Sequence, residues 1–238
     1  MSALRAVFPR TVYLAQRFSL PIPIIQDAAA TTKRMFRYAS ESLQRHYNST
    51  DEKPTLFNKI YKAGEEDFLS FTEIRDTALA YIVAGTDTTA TTLTYLIWAV
   101  CRDHNIQRKL VEELGSLREG FNDADLKGLV YLGCVVDEAL RLYSAVPAVL
   151  PRVVPPGGAT LAGYRFEQGT VVSCQAYSLH RDANVFVDPE RFRPERWEGA
   201  TKEMRDAFHP FGGGARSTFT YSSLYLSLCL DSVEESCR

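Results

Sequence analysis

One stretch constrains this chain more than any other: residues 71–101, FTEIRDTALAYIVAGTDTTATTLTYLIWAVC, the longest apolar-rich segment without a proline. Ser70 and Glu73 form an S-x-x-E capping box, and Ile74, Ala78, Tyr81, Ile82, Leu93, Leu96, Ile97 and Val100 recur at helical spacing, which predicts a long buried helix. Its middle works against that. Thr86, Thr88, Thr89, Thr91, Thr92 and Thr94 crowd beside Gly85. At roughly 0.5 kcal/mol per Thr and about 1 for Gly relative to Ala, about 4 kcal/mol of intrinsic propensity is given up. Two readings stay open. In one, two helices meet at Gly85, with Asp87 or Thr88 as an N-cap. In the other, a single helix carries a local groove, where the Thr88 hydroxyl donates to the Ala84 carbonyl and Gly85 leaves room for a ligand. The acid Asp87 beside the alcohol Thr88 suits proton delivery to something bound in that groove.

With 45% hydrophobic and 24% charged content, 238 residues suffice for one large domain or two small ones. A net charge of −2, from 27 basic and 29 acidic residues, gives no footprint for nucleic acid, so small apolar partners are expected. Cys101, Cys134, Cys174, Cys229 and Cys237 are odd in number and scattered, which argues against a disulfide framework or a zinc site. No apolar run approaches the ~20 residues of a membrane span. The basic, amphipathic start, with Arg5, Arg10 and Arg17, suits a solvated helix face or contact with a membrane surface.

Taken in order, residues 1–20 read as helical, Pro21 and Pro23 break the chain, and a second helix runs from Asp27 to about Tyr47. After residue 101, Arg102–Asn105 form a break, NIQRKLVEEL an amphipathic helix, Gly120–Asp125 a turn region, and Leu129–Tyr143 the next helix. Glu138 and Arg141 share a face of that helix and can form a fork-shaped unit. Their neighbours Val135, Val136, Ala139, Leu140 and Leu142 are apolar, so a buried pair would need further partners. Val149–Val154, Ala159–Phe166 and Thr170–Cys174 read as short strands, giving a small antiparallel β region on a helical body. A charged meander follows from His180 to Trp197, in which Arg191 is a third member for the Glu138–Arg141 unit or a plain surface arginine. The loop FHPFGGGAR at 208–216 lacks the G-K-[ST] of a phosphate-binding P-loop. After Ser217 the composition turns Ser- and Leu-rich without helical periodicity.

In sequence order, AGTDTT at 84–89, EALR at 138–141, PERF at 189–192 followed by PERW, and PFGGGAR at 210–216 resemble the motifs of the cytochrome P-450 family, the heme-thiolate monooxygenases, in the style of its fungal members. The resemblance covers about residues 8–217. It implies a mainly α fold with a small antiparallel β region (α+β), a partial cytochrome P-450 domain over 1–217, and an aberrant tail over 218–238. It further implies that Asp87 and Thr88 relay protons, that Ala84 and Gly85 line the oxygen groove, and that Glu138, Arg141 and Arg191 form a structural triad. Arg152 and Arg216 resemble positions that pair with heme propionates, with His209 assisting, and Phe211 opens the heme-binding loop. The implied cofactors are heme b and NADPH, the latter through an NADPH-cytochrome reductase. The implied substrate is a small apolar molecule of secondary metabolism.

Departures from the pattern limit the expected activity. The family's loop continues to a cysteine whose thiolate is the axial iron ligand. Counting from Phe211, that place is held by Thr218, and Thr220 holds the place of the following glycine. No metal ligand is therefore expected in the loop; Cys229 lies eleven residues further on, in a tail without the matching helix. The chain also lacks counterparts of the family's N-terminal portion, including its endoplasmic-reticulum anchor, which points to the cytoplasm or leaves the location unassigned. The expectation is an inactive relative whose tail stems from a shifted reading frame or a retained intron. A non-catalytic remnant that binds a partner or ligand is the alternative.

Overall fold

The computed structural model describes residues 23–48, 58, 69–118 and 120–213. The proposed helix over 1–20, the tail, Arg216 and Thr218 lie outside the described residues. The architecture is mainly helical with small antiparallel sheets. Two compact units, Met1–Thr86 and Asp87–Arg238, divide within one long helix.

In the first unit, α1 (Pro23–Tyr47) begins four residues earlier than Asp27, because proline is tolerated in a helix's first turn, where its missing N–H has no intrahelical partner. Its Leu43 packs with Ile74 and Ala78 of α2 (Phe71–Arg102). The predicted cap of α2 is present. The Ser70 amide donates to the Glu73 carboxylate at 2.8 Å, and the Glu73 amide donates to the Ser70 hydroxyl at 3.3 Å. The Ser70 hydroxyl, which donates to the Glu73 carboxylate at 2.7 Å, and then the Ser70 amide hold that carboxyl below its usual pKa.

The helix runs unbroken for 32 residues, so the reading with two helices meeting at Gly85 is set aside. Two of the threonines satisfy their hydroxyls within the helix. The Thr92 hydroxyl donates to the Thr88 carbonyl at 3.0 Å, and Thr94 to Ala90 at 2.7 Å. Such back-bonding gives buried Thr92 a partner for its hydroxyl. The apolar face is incompletely covered: Leu96 is buried, while Tyr81, Ile97 and Trp98 are exposed.

In the second unit the core gathers around α5 (Val130–Leu142), of whose 13 residues ten are buried. Leu96 and Val100 of α2, Ile106 and Leu110 of α3 (His104–Leu114) and Leu126 of α4 (Asp123–Lys127) pack against it. Asp103 caps α3 by accepting from the amides of Asn105 and Ile106. The turn expected at 120–125 instead contains the start of α4, because Asn122 and Asp125 form a reciprocal capping box.

The β region is two separate hairpin-like pairs. Strand β1 (Val149–Val153) pairs antiparallel with β4 (Val171–Gln175), and Arg152 faces Val172 in register. What reads in sequence as one strand over 159–166 is two, β2 (Ala159–Leu161) and β3 (Tyr164–Phe166), folded back at Ala162 and Gly163. Both turn residues have positive φ, 50° and 83°, the backbone of a tight two-residue hairpin. A short α6 (Ala176–Leu179), a 3₁₀ turn (Pro194–Trp197) and α7 (Lys202–Ala207), capped by Thr201, complete the described chain.

Candidate functional site

The Glu138–Arg141 pair is fully buried, as the apolar neighbours of α5 require. Arg141 donates through Nε and Nη2 to the two Glu138 oxygens, each at 2.9 Å, a planar fork. Burying two charges costs several kcal/mol per ion unless every polar atom is satisfied. Here the remaining capacity is taken up by the meander. Glu138 accepts from the Arg193 amide at 2.9 Å, Arg196 Nε at 3.0 Å and the Trp197 indole at 2.9 Å. Arg141 Nη1 donates to the carbonyls of His180 and Pro189, at 2.6 and 2.7 Å.

The third guanidinium is therefore that of Arg196, not Arg191. Arg191 is exposed and takes part only through its carbonyl, which accepts from Arg141 and Arg196. The reason is the 3₁₀ turn, which brings Arg196 and Trp197 together onto Glu138. Burial lowers the Arg196 pKa and the Glu138 charge opposes that. The sequence holds the signal in its second P-E-R, whose following tryptophan carries an N–H that needs an acceptor when buried.

Two further carboxylates, not anticipated from sequence, fix the frame. Leu129, the N-cap of α5, offers no side-chain cap. Glu113 of α3 fills that role by accepting from the Tyr131 and Leu132 amides. Glu195 accepts from Lys109 at 2.7 Å and from the Tyr131 hydroxyl at 3.0 Å, tying the 3₁₀ turn to α3 and α5. Burial and the neighbouring Glu195 push the Tyr131 hydroxyl well above its usual pKa.

His180 is completely buried between α5 and the glycine-rich loop. Its Nδ1 lies 3.0 Å from the Arg141 carbonyl and its Nε2 accepts the His209 amide at 2.9 Å. A carbonyl only accepts, so Nδ1 carries the proton and Nε2 the lone pair. Desolvation pushes the imidazole down to about 4, which keeps it neutral.

The remaining predicted residues are placed as follows. Ala84, Gly85 and Asp87 are exposed on α2 and Thr88 is half-buried. A Cβ added at Gly85 meets nothing within 4 Å, so the helix surface there is open. Adjacent helix positions point about 100° apart, and Asp87 and Thr88 therefore project in different directions. The exposed Arg152 donates to the Pro151 carbonyl at 2.9 Å and makes no ion pair among the described residues. His209 is exposed, and Phe211 packs against the α5 core.

Three tyrosine and phenylalanine rings link the ends of these elements. Tyr143 stacks on Tyr95 at 5.0 Å and on Phe192 at 6.2 Å, joining α2, the end of α5 and the meander. Cys134 sits in an apolar cluster with Phe186, Trp197 and Met204, and burial pushes its thiol up to about 11.

Known proteins resemble this chain in sequence and in fold. The chain is similar to cytochrome P450 monooxygenases of Aspergillus niger (orf2; 44% identical, covering 91% of this chain and 44% of that protein) and Aspergillus terreus (tazI; 47%, covering 90% and 45%). It thus spans about half the length of the curated relatives it matches. A solved cytochrome P450 superposes with a TM-score of 0.73 at 20% identity, covering 93% of this chain and 52% of that one, which shows the fold. The family profile described as Cytochrome P450 matches residues 3–217. By its buried E-x-x-R network, its fold and its relatives, the chain belongs to the cytochrome P450 family.

Proposed function

We propose that this chain carries the framework of a heme monooxygenase for small apolar substrates of fungal secondary metabolism, and that as written it does not turn over. The observation supporting the framework is the sealed Glu138 network, whose five donors come from α5 and the meander. By the family resemblance, Ala84 and Gly85 would line an oxygen groove, Asp87 and Thr88 would relay protons, and Arg152, Arg216 and His209 would face carboxylates. Heme b would be the cofactor, with electrons from NADPH through a reductase.

The donor set does not fit an iron held by a thiolate. Thr218 stands at the expected ligand position, and a neutral hydroxyl is a hard, weakly donating group. Cys134 offers no substitute, because its raised pKa and apolar surroundings make it a neutral core filler. The test is the carbon monoxide spectrum of the reduced, heme-reconstituted chain. No thiolate-type Soret band is expected, and its appearance would overturn the claim of inactivity. Sequencing the transcript beyond the Ser217 codon tests the origin of the tail; a mature message encoding these same residues would remove the frame-shift explanation.

A second reading, a ligand-binding remnant, is favoured by a groove of about 500 Å³ between α1 and α2. Met35, Tyr38, Leu79 and Ile82 line it together with Thr31, Arg34, Arg37 and Glu41, and its size is within the usual range of small-molecule sites. Folded protein that binds apolar probes without taking up heme would support this role.

A further inference from the structure

We propose that His180 is a positioning residue: its imidazole clamps the end of α5 to the entry of the Phe208–Gly213 loop, so that one side chain sets the loop's place against the E-x-x-R helix. The geometry is reciprocal. Arg141 donates its guanidinium to the His180 carbonyl at 2.6 Å, while the His180 ring returns a bond from Nδ1 to the Arg141 carbonyl at 3.0 Å. That exchange leaves Nε2 pointing to the loop, where it accepts the His209 amide at 2.9 Å. Phe208 closes the arrangement with its ring 5.5 Å from the imidazole.

The bond to the loop needs a neutral ring, because a protonated Nε2 cannot accept. The charged and titratable groups around the ring are Arg141 on α5, Arg181 on the meander and His209 on the loop. All three disfavour a positive charge on it, and the nearby Glu138 carboxylate is already taken by Arg141, Arg196, Trp197 and the Arg193 amide. Burial acts in the same direction. An aromatic side chain that merely filled this space would need neither nitrogen.

The test uses the unaltered, ¹⁵N-labelled 238-residue chain without heme, so it stands apart from the functional reading. An N–H···N bond transmits a scalar coupling between its two nitrogens, whereas packing alone does not. The expected result is a coupling between the His209 amide nitrogen and His180 Nε2, with Nε2 unprotonated at neutral pH. Two variants then divide the ring's two bonds. His180→Gln keeps a polar atom near the place of Nε2, and His180→Asn keeps one near Nδ1. Loss of a single buried bond predicts about tenfold faster exchange of the His209 amide in H180N, and a change within about twofold in H180Q. Absence of the coupling, or equal exchange in the two variants, overturns the proposal. If neither variant folds, the coupling in the unaltered chain decides.

Discussion

Glu113, near the end of α3, sets its two carboxylate oxygens on the first amides of α5, 2.8 Å from Tyr131 N and 2.7 Å from Leu132 N. A helix begins with amides that have no partner, and a carboxylate there also meets the positive end of the helix dipole. Replacing Glu113 by Ala is expected to cost about 2 kcal/mol. Glu113→Gln, which keeps one acceptor, should lose less. Chemical denaturation of the two variants checks the order.

The assignment of the third guanidinium divides two arginines only five positions apart. Arg196→Ala removes a buried partner of Glu138 and should destabilise by about 3–5 kcal/mol. Arg191→Ala removes an exposed side chain while leaving its carbonyl, and should stay within about 0.5 kcal/mol of the parent. Equal denaturation midpoints for the two variants would contradict the network described above.

His180 predicts a pH dependence. Its folded value of about 4 lies below the ordinary 6.5, so between the two the unfolded chain holds the extra proton. Stability therefore rises with pH across that window and is lost as pH falls through it, by about 3 kcal/mol in all. Unfolding midpoints measured from pH 7 to pH 4 should show this slope, and H180Q should flatten it.

Gly85 offers a stabilising change. It lies inside α2, and a Cβ there meets nothing within 4 Å. Gly85→Ala should raise stability by up to about 1 kcal/mol through helix propensity alone. If the open surface serves a bound ligand, the same substitution should weaken that binding, as titration with apolar probes would record.

Local signals carried much of this architecture into the sequence. The Ser70–Glu73 box and the E-x-x-R spacing depend on neighbours within four residues, and both stand in the structure as expected; α2 forms as one helix, but Tyr81 and Ile97 of its expected buried face are exposed. The relationships that were not legible span long separations. Lys109 meets Glu195 across 86 residues, and His180 meets Arg141 across 39. The choice between Arg191 and Arg196 belongs largely to this second class: each ends its own copy of the tripeptide P-E-R, and beyond the tryptophan that follows the second, the fold of the meander decides which turns inward. The short α4 and the β2–β3 hairpin were missed for a different reason. Their signals, an Asn–Asp cap and an Ala–Gly turn, are weak beside the apolar patterns that dominate a reading of this kind.

The seclusion of Cys134 makes the chain a reporter of its own opening. Cys101 and Cys174 are exposed and should react with a thiol-directed label at once. Cys134 is walled in by Phe186, Trp197 and Met204, with its sulfur held in the unreactive protonated state. Tagging it requires that the cover formed by Phe186, Trp197 and Met204 lift away from α5. The lag before that slower tagging is therefore a clock for release of the meander, readable by mass spectrometry on the unmodified polypeptide.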